Sequence, residues 1–171
     1  MLVNDISILA IDPGSKYMGW VHMLNDTILL PGTLTMSSTA EFSTSIDVQV
    51  YYFIRMQLEG VSLSSGITIR PRYMVLEQFF SPRRQRGGNV IPELRGVIKL
   101  AANQLRVKII EVAPLTVKKF ISGSGKADKN EIRAIISEKY DISIKDTNLS
   151  DAIAIGLTGL DIVRRSISDN N

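Results

Sequence analysis

Ile6-Ser7-Ile8-Leu9-Ala10-Ile11-Asp12-Pro13-Gly14-Ser15 sets a short apolar, β-branched run directly against an acid and a turn. Such a run reads as a buried strand, and Asp-Pro-Gly-Ser carries the turn chemistry that ends it. Asp12 thus sits where a strand leaves the core. Burying a carboxylate there is costly unless a cation or hydrogen-bond donors compensate. Asp12 also has a purely structural explanation, as the residue that shapes the turn.

Outward from this strand, Tyr17 to Met23 and Thr27 to Met36 read as two more strands, with Asn25-Asp26 at the bend between them. Three adjacent strands suggest an antiparallel meander. The period then changes. Phe42, Ile46, Val50, Phe53, Ile54 and Leu58 recur at helical spacing and predict a helix over Glu41 to Glu59. Ser62 to Gly66 reads as a loop, Tyr73 to Gln78 as a fourth strand, and Ser81 to Asn89 as a polar, basic, glycine-containing loop. Further elements are a helix over Pro92 to Leu105, a fifth strand over Val107 to Val112, and a short helix from Pro114 to about Ile121. After Ser122-Gly123-Ser124-Gly125, helices are expected over Asp128 to Tyr140 and from about Asn148 to Arg165, with a frayed tail from Ser166 to Asn171. This order predicts a single α/β domain with a five-stranded mixed sheet flanked by helices.

The chain has 171 residues, 44% hydrophobic and 22% charged, which suits one domain with an ordinary core. No segment approaches the ~20 consecutive apolar residues of a membrane helix. The start of the chain lacks the basic and apolar regions of a signal peptide. The absence of cysteine excludes disulfides and cysteine-ligated metal centres. A cytoplasmic protein is the expectation, in the host cytoplasm if the chain is viral. The net charge of +3 is unevenly spread. Residues 1–69 hold two basic and six acidic side chains, whereas residues 70–108 hold nine basic and two acidic. A basic middle suggests a polyanionic partner, nucleic acid first, with a solvated surface as the plainer explanation.

Two further acids share the placement of Asp12. Glu77 ends the fourth strand in Val75-Leu76-Glu77-Gln78, and Asp151 opens the last helix in Leu149-Ser150-Asp151-Ala152-Ile153. If the first and fourth strands are neighbours, Asp12 and Glu77 converge at one edge of the sheet, and a helix end packed there adds Asp151. Clustered carboxylates raise one another's pKa, and magnesium or manganese would relieve the repulsion. Structural explanations exist here too. Glu77 can pair with a nearby arginine, and Asp151 lies three residues after Asn148, a candidate N-cap.

Four blocks carry a family resemblance: Ile11-Asp12-Pro13-Gly14-Ser15, Val75-Leu76-Glu77-Gln78-Phe79-Phe80, Gly123-Ser124-Gly125-Lys126-Ala127-Asp128-Lys129 and Ser150-Asp151-Ala152-Ile153-Ala154-Ile155. In this order and spacing they resemble RuvC-type Holliday-junction resolvases of the RNase H-like, or retroviral integrase, superfamily. The resemblance implies an RNase H-like fold whose meander of strands is followed by parallel ones. It also implies a homodimer and hydrolysis of DNA phosphodiesters with two magnesium ions per site, for which manganese can substitute. Asp12, Glu77 and Asp151 would be catalytic metal ligands. The family's fourth ligand, three residues before the last Asp, corresponds here to Asn148, an uncharged amide; Asp146 is the other candidate. DNA contacts would come from Arg83, Arg84 and Arg86 beyond Glu77, and from Lys118, Lys119, Lys126 and Lys129. Gly123 and Gly125 would let backbone N–H groups approach a phosphate. Phe80 matches an aromatic that stacks on an exposed base, an interaction worth ~1–3 kcal/mol. By the same resemblance, the helix over Pro92 to Leu105 would form the dimer surface through Val97, Ile98, Ala101 and Ala102, unless that face meets its own sheet.

The implied function is symmetric resolution of four-way DNA junctions in recombination and repair. A less selective nuclease for branched DNA, flaps or RNA, and a junction-binding protein that does not cut, are the alternatives. Gly123-Ser124-Gly125-Lys126 is not a nucleotide-binding P-loop, because Phe120 and Ala127 stand where that motif needs Gly and Ser or Thr. His22, the single histidine, lies on a predicted strand without a histidine partner and reads as structural.

Overall fold

The computed structural model describes residues 5–36, 45–79, 90–144 and 146–169. Its main sheet has five strands in the order β3-β2-β1-β6-β7. β1 (Ser7–Asp12), β2 (Tyr17–Leu24) and β3 (Thr27–Thr35) form the antiparallel meander expected from the sequence. β6 (Tyr73–Glu77) and β7 (Lys108–Val112) join on the other side of β1, and both pairings are parallel. This is the predicted mixed sheet of RNase H-like type.

β1 is buried on both faces, with Ile8, Leu9, Ala10 and Ile11 fully enclosed. The period-two alternation of a strand divides these residues between two cores. Leu9 and Ile11 pack with Val50 and Ile54 of α1 (Ile46–Glu59) and with Leu94 and Ile98 of α2 (Val90–Gln104). Ile8 and Ala10 pack on the opposite face with Ile153, Leu157 and Leu160 of α5 (Thr147–Ser168). α3 (Pro114–Ser122) and α4 (Lys129–Tyr140) complete that second layer.

Three readings need correction. The loop expected at 62–66 is the turn of a small hairpin, but Ser62 belongs to its first strand; β4 (Val61–Ser62) and β5 (Thr68–Ile69) are too short to show periodicity. The last helix continues to Ser168, because Arg164 and Arg165 are followed by residues that extend the helix rather than cap it. The third concerns α2. Ile98, Ala101 and Ala102 are fully buried in the chain's own core, so the apolar face expected for a partner meets the sheet and α1. The part of the α1 prediction before Ser45 lies outside the described residues.

His22 is completely buried, with Nε2 2.8 Å from Oε1 of Gln57 on α1 and its ring edge-on to Trp20. Burial lowers its pKa, so it stays neutral, as a structural histidine should.

α5 lies close against the sheet because small residues face it. A Cβ on Gly159 would stand 2.5 Å from both methyl carbons of Val75, and one on Gly19 of β2 would stand 2.0 Å from the carbonyl oxygen of Asn148. Gly19 therefore lets the start of α5 rest on the backbone of β2. We expect Gly19→Ala to lose about 1–3 kcal/mol of stability, as overpacked sites do, measured as a lower urea midpoint. A variant as stable as the parent would mean that the two elements are not held this close.

Candidate active site

The same alternation that builds the core aims the acids. Ile8 and Ala10 point to the α5 layer, so Asp12, two residues further on, turns to that layer as well. On β6, Val75 points to α5 while Met74 and Leu76 point away, so Glu77 follows Val75. The parallel register pairs Ile11 with Leu76, which brings Asp12 and Glu77 side by side one step later. Asp151, one turn into α5, completes the group from above. The three line one cavity of about 90 Å³ together with Lys118 of α3 and Lys129 of α4.

The electrostatics are those of a carboxylate cluster held out of bulk water. Burial, then the charges of Asp151 and Glu77, push the Asp12 pKa up from 3.8 to about 7, against the opposing pull of Lys129. Glu77 is also raised, first by burial and then by Asp151. Lys129 Nζ donates to Asp151 Oδ2 at 2.5 Å, and this contact raises the lysine's own pKa. An all-oxygen donor set of three carboxylates suits magnesium or manganese, and the raised pKa of Asp12 marks a site that favours added positive charge. Among the described residues, no three acidic or histidine side chains stand close enough to hold an ion in their present positions.

The start of α5 differs from the sequence reading. Its N-cap is Asp146 rather than Asn148. Asp146 Oδ1 accepts from the backbone N–H and from the side-chain amide of Asn148, both at 2.9 Å, and Oδ2 accepts from the Thr33 hydroxyl at 2.5 Å. Burial raises the Asp146 carboxyl, but these hydrogen bonds outweigh it and leave the pKa below its ordinary value. Neither Asp146 nor Asn148 lines the cavity, although the Asp146 charge is felt at Asp12.

The basic residues disperse. Lys118 lines the cavity, whereas Lys119 and Lys126 are exposed beyond it. The N–H of Gly123 donates to the Lys119 carbonyl as the cap of α3, so it is already spent. Gly125 packs near Leu115, and the next amide, that of Lys126, donates to Ser124 Oγ at 3.2 Å. Phe80, Arg83, Arg84 and Arg86 lie outside the described residues. Arg70, Arg72, Arg106 and Lys108 cluster around the start of β6 and β7, at the opposite end of the sheet from Asp12. Among the described residues, the basic middle of the sequence is therefore not one patch.

Sequence reasoning missed Arg95. It is buried on α2, donates to the backbone carbonyl of Glu77 and pairs with Glu111 of β7. It thus ties together the ends of the two parallel strands and fixes the backbone that presents Glu77. Its position in an amphipathic helix, on the core side between Leu94 and Ile98, was the available signal.

The Asp12 shift has a definite sign. The folded protein keeps this proton up to about pH 7, while the unfolded chain releases it near 3.8, so this group's contribution to stability falls as pH rises between those values. Asp12→Asn abolishes the loss. In EDTA at pH 8 the variant should melt at least about 2 °C above the parent, with the gap closing toward pH 4. An equal or lower melting temperature at pH 8 would contradict the reading.

Comparison with known proteins gives the family of the chain. The family model of the crossover junction endodeoxyribonuclease RuvC matches residues 8–159. The RuvC of Halothermothrix orenii is 32% identical over 157 residues, covering 88% of this chain and 89% of that protein. The RuvC of Prochlorococcus marinus is 34% identical over 160 residues, covering 88% and 93%. Among solved structures, Thermus thermophilus RuvC superposes with a TM-score of 0.75 at 20% identity, covering 94% of this chain and 97% of that one. The same protein in complex with a Holliday junction substrate gives 0.73 at 18% identity, covering 94% and 96%. With a family match across nearly all of its sheet and helices, and the same fold in the Thermus structures, this chain belongs to the RuvC crossover junction endodeoxyribonucleases.

Proposed function

We propose that the protein is a metal-dependent endonuclease that resolves four-way DNA junctions, with Asp12, Glu77 and Asp151 as its metal-holding catalytic residues. The observation that carries this reading is the delivery of three carboxylates from β1, β6 and α5 to one cavity, where Asp12 is pushed up to about 7. A scaffold does not gain stability from such a group; a site for divalent cations gains function from it. Bound magnesium or manganese would supply an activated water and stabilise charge on the departing 3′ oxygen.

The chain's own residues do the rest. Asp12 and Glu77 are held by paired parallel strands and Asp151 by a helix packed on them, so the donors are set on rigid elements. Arg95 steadies the end of β6 through the Glu77 carbonyl. Lys118, on the cavity wall, offers a cation to the phosphodiester. The arginines at 83, 84 and 86 and the Phe80 ring follow Glu77 directly in sequence and are the candidates for gripping branched DNA and stacking on an unpaired base. The junction-bound Thermus relative, similar in fold, supports branched DNA as the substrate class.

A labelled immobile four-way junction tests the activity. We expect paired symmetric nicks with magnesium or manganese, none with EDTA, and none from Asp12→Asn, whose loss should exceed about a hundredfold. Tight binding without nicks in either metal would favour a junction-binding protein instead. Equal cleavage of fork, duplex and hybrid substrates would favour a less selective nuclease.

Two active sites on opposed strands require a homodimer, whose two-fold axis would match that of the junction. With Ile98, Ala101 and Ala102 committed to the core, the outward face of the α1 and α2 layer is the candidate surface. It presents Tyr52 and Met56 of α1, 62% and 63% exposed, and Leu100 of α2, 52% exposed. Sedimentation equilibrium should give a dimer at micromolar concentration and a monomer after Tyr52→Glu with Met56→Glu. A monomeric parent would overturn the dimer.

A further inference from the structure

Lys129 was read from the sequence as a contact for DNA, but it stands inside the acidic site. It is the first residue of α4, and the preceding Asp128 fixes it there. The Asp128 side chain caps the helix by accepting from the amides of Asn130 and Glu131 at 2.8 and 2.9 Å. From that anchored position the lysine reaches across to α5, where Nζ lies 2.5 Å from Asp151 Oδ2. Its charge also acts on Asp12 and Glu77, lowering both against burial and mutual repulsion. No other cation contacts these three side chains among the described residues in an ion pair, although Lys118 shares the cavity.

One ammonium therefore neutralises part of a cluster that the fold cannot leave bare. We propose that Lys129 is the resident counter-ion of the metal-free site, and that its ion pair with Asp151 and the binding of a divalent cation by the same carboxylate exclude each other. This rests on the metal-site reading above. The exclusion follows from space and charge. The cavity is about 90 Å³, and Asp151 cannot give the same oxygen to an ammonium at contact distance and to a divalent ion, because the two cations would repel at close range. The consequence is double. Lys129 holds the metal-free carboxylates together and weakens metal affinity. Once displaced from Asp151, the same largely exposed ammonium stands at the cavity wall, free to meet another anion.

The test measures binding of Mn²⁺ alone to the full chain, by titration calorimetry and by the EPR signal of free Mn²⁺, with no DNA present. Lys129→Met keeps the alkyl stem and removes the charge. It should bind Mn²⁺ about fivefold more tightly than the parent, the scale of one partly exposed ion pair. Lys129→Arg should stay near the parent, and Lys126→Met, outside the cavity, should not change. Without metal, Lys129→Met should melt below the parent at pH 8, and Mn²⁺ should raise its melting temperature more than it raises the parent's. Lys129→Gln, which retains a donor for Asp151 without the charge, gives the same comparison should the methionine variant fail to fold. Mn²⁺ affinity that is unchanged or weaker in the uncharged variants overturns the proposal. A parent that binds no Mn²⁺ overturns the metal-site reading itself. A parent that binds while Asp12→Asn does not leaves that reading standing and makes the Lys129 comparison decisive.

Discussion

The parallel pairing of β1 with β6 is the constraint on which the site depends. With Ile11 opposite Leu76, the next residue on each strand is an acid, and both acids inherit the orientation of the apolar residues two positions before them. Ala10 and Val75 must face α5 to fill the core, so Asp12 and Glu77 face it too. A slip of one residue in this register would turn one acid to the other layer and force its apolar neighbours to repack in the opposite core, so the geometry of the carboxylates is protected by the packing of both layers. The close seat of α5, which Gly19 and Gly159 permit, then sets the height of Asp151 above them.

That arrangement leaves an electrostatic problem that the molecule resolves locally. Burial and like charge raise Asp12 to about 7, while Lys129 pairs with Asp151 from the side of α4 and Arg95 ties down the backbone end of β6. Each compensating group comes from a different element, and each is itself anchored. Asp128 caps the turn that carries Lys129, and Glu111 holds Arg95, with Lys99 bonded to the other oxygen of the same carboxylate at 2.9 Å. Arg95 serves both ends, since it aligns the strand ends and its charge also lowers Glu77.

Much of this was legible in the sequence, for identifiable reasons. Strands such as Ser7–Asp12 and helices such as Pro114–Ser122 carry strong periodic or punctuating signals, and the acids stood out because each closes or opens an apolar segment. What escaped were features that depend on tertiary neighbours. A two-residue strand such as Val61–Ser62 has no period to read. The apolar face of α2 looks the same whether it meets a sheet or a second copy, and only the enclosure of Ile98 and Ala101 decides the matter. Lys129 reads as a surface lysine in a basic loop until α4 is seen to lie beside α5. Arg95 reads as one more charge in a basic stretch until its guanidinium is found between the ends of β6 and β7.

The position three residues before Asp151 gathers these themes. A residue at that spacing shares the face of Asp151 on a helix, so an acid there could join the cluster. Asn148 does not, because its amide donates to Asp146, which also accepts from Thr33 of β3 and caps the helix. Asp146, two residues back, lies outside the cavity wall and in a capping role where hydrogen bonds hold it ionised. The repulsion among the three acids is offset by Lys129 and, at Glu77, by Arg95 and Lys118 as well. For Asp146 to reach a metal it would have to give up Thr33 and the α5 cap together. The same two contacts that make Asp146 a good anchor therefore make it a poor ligand.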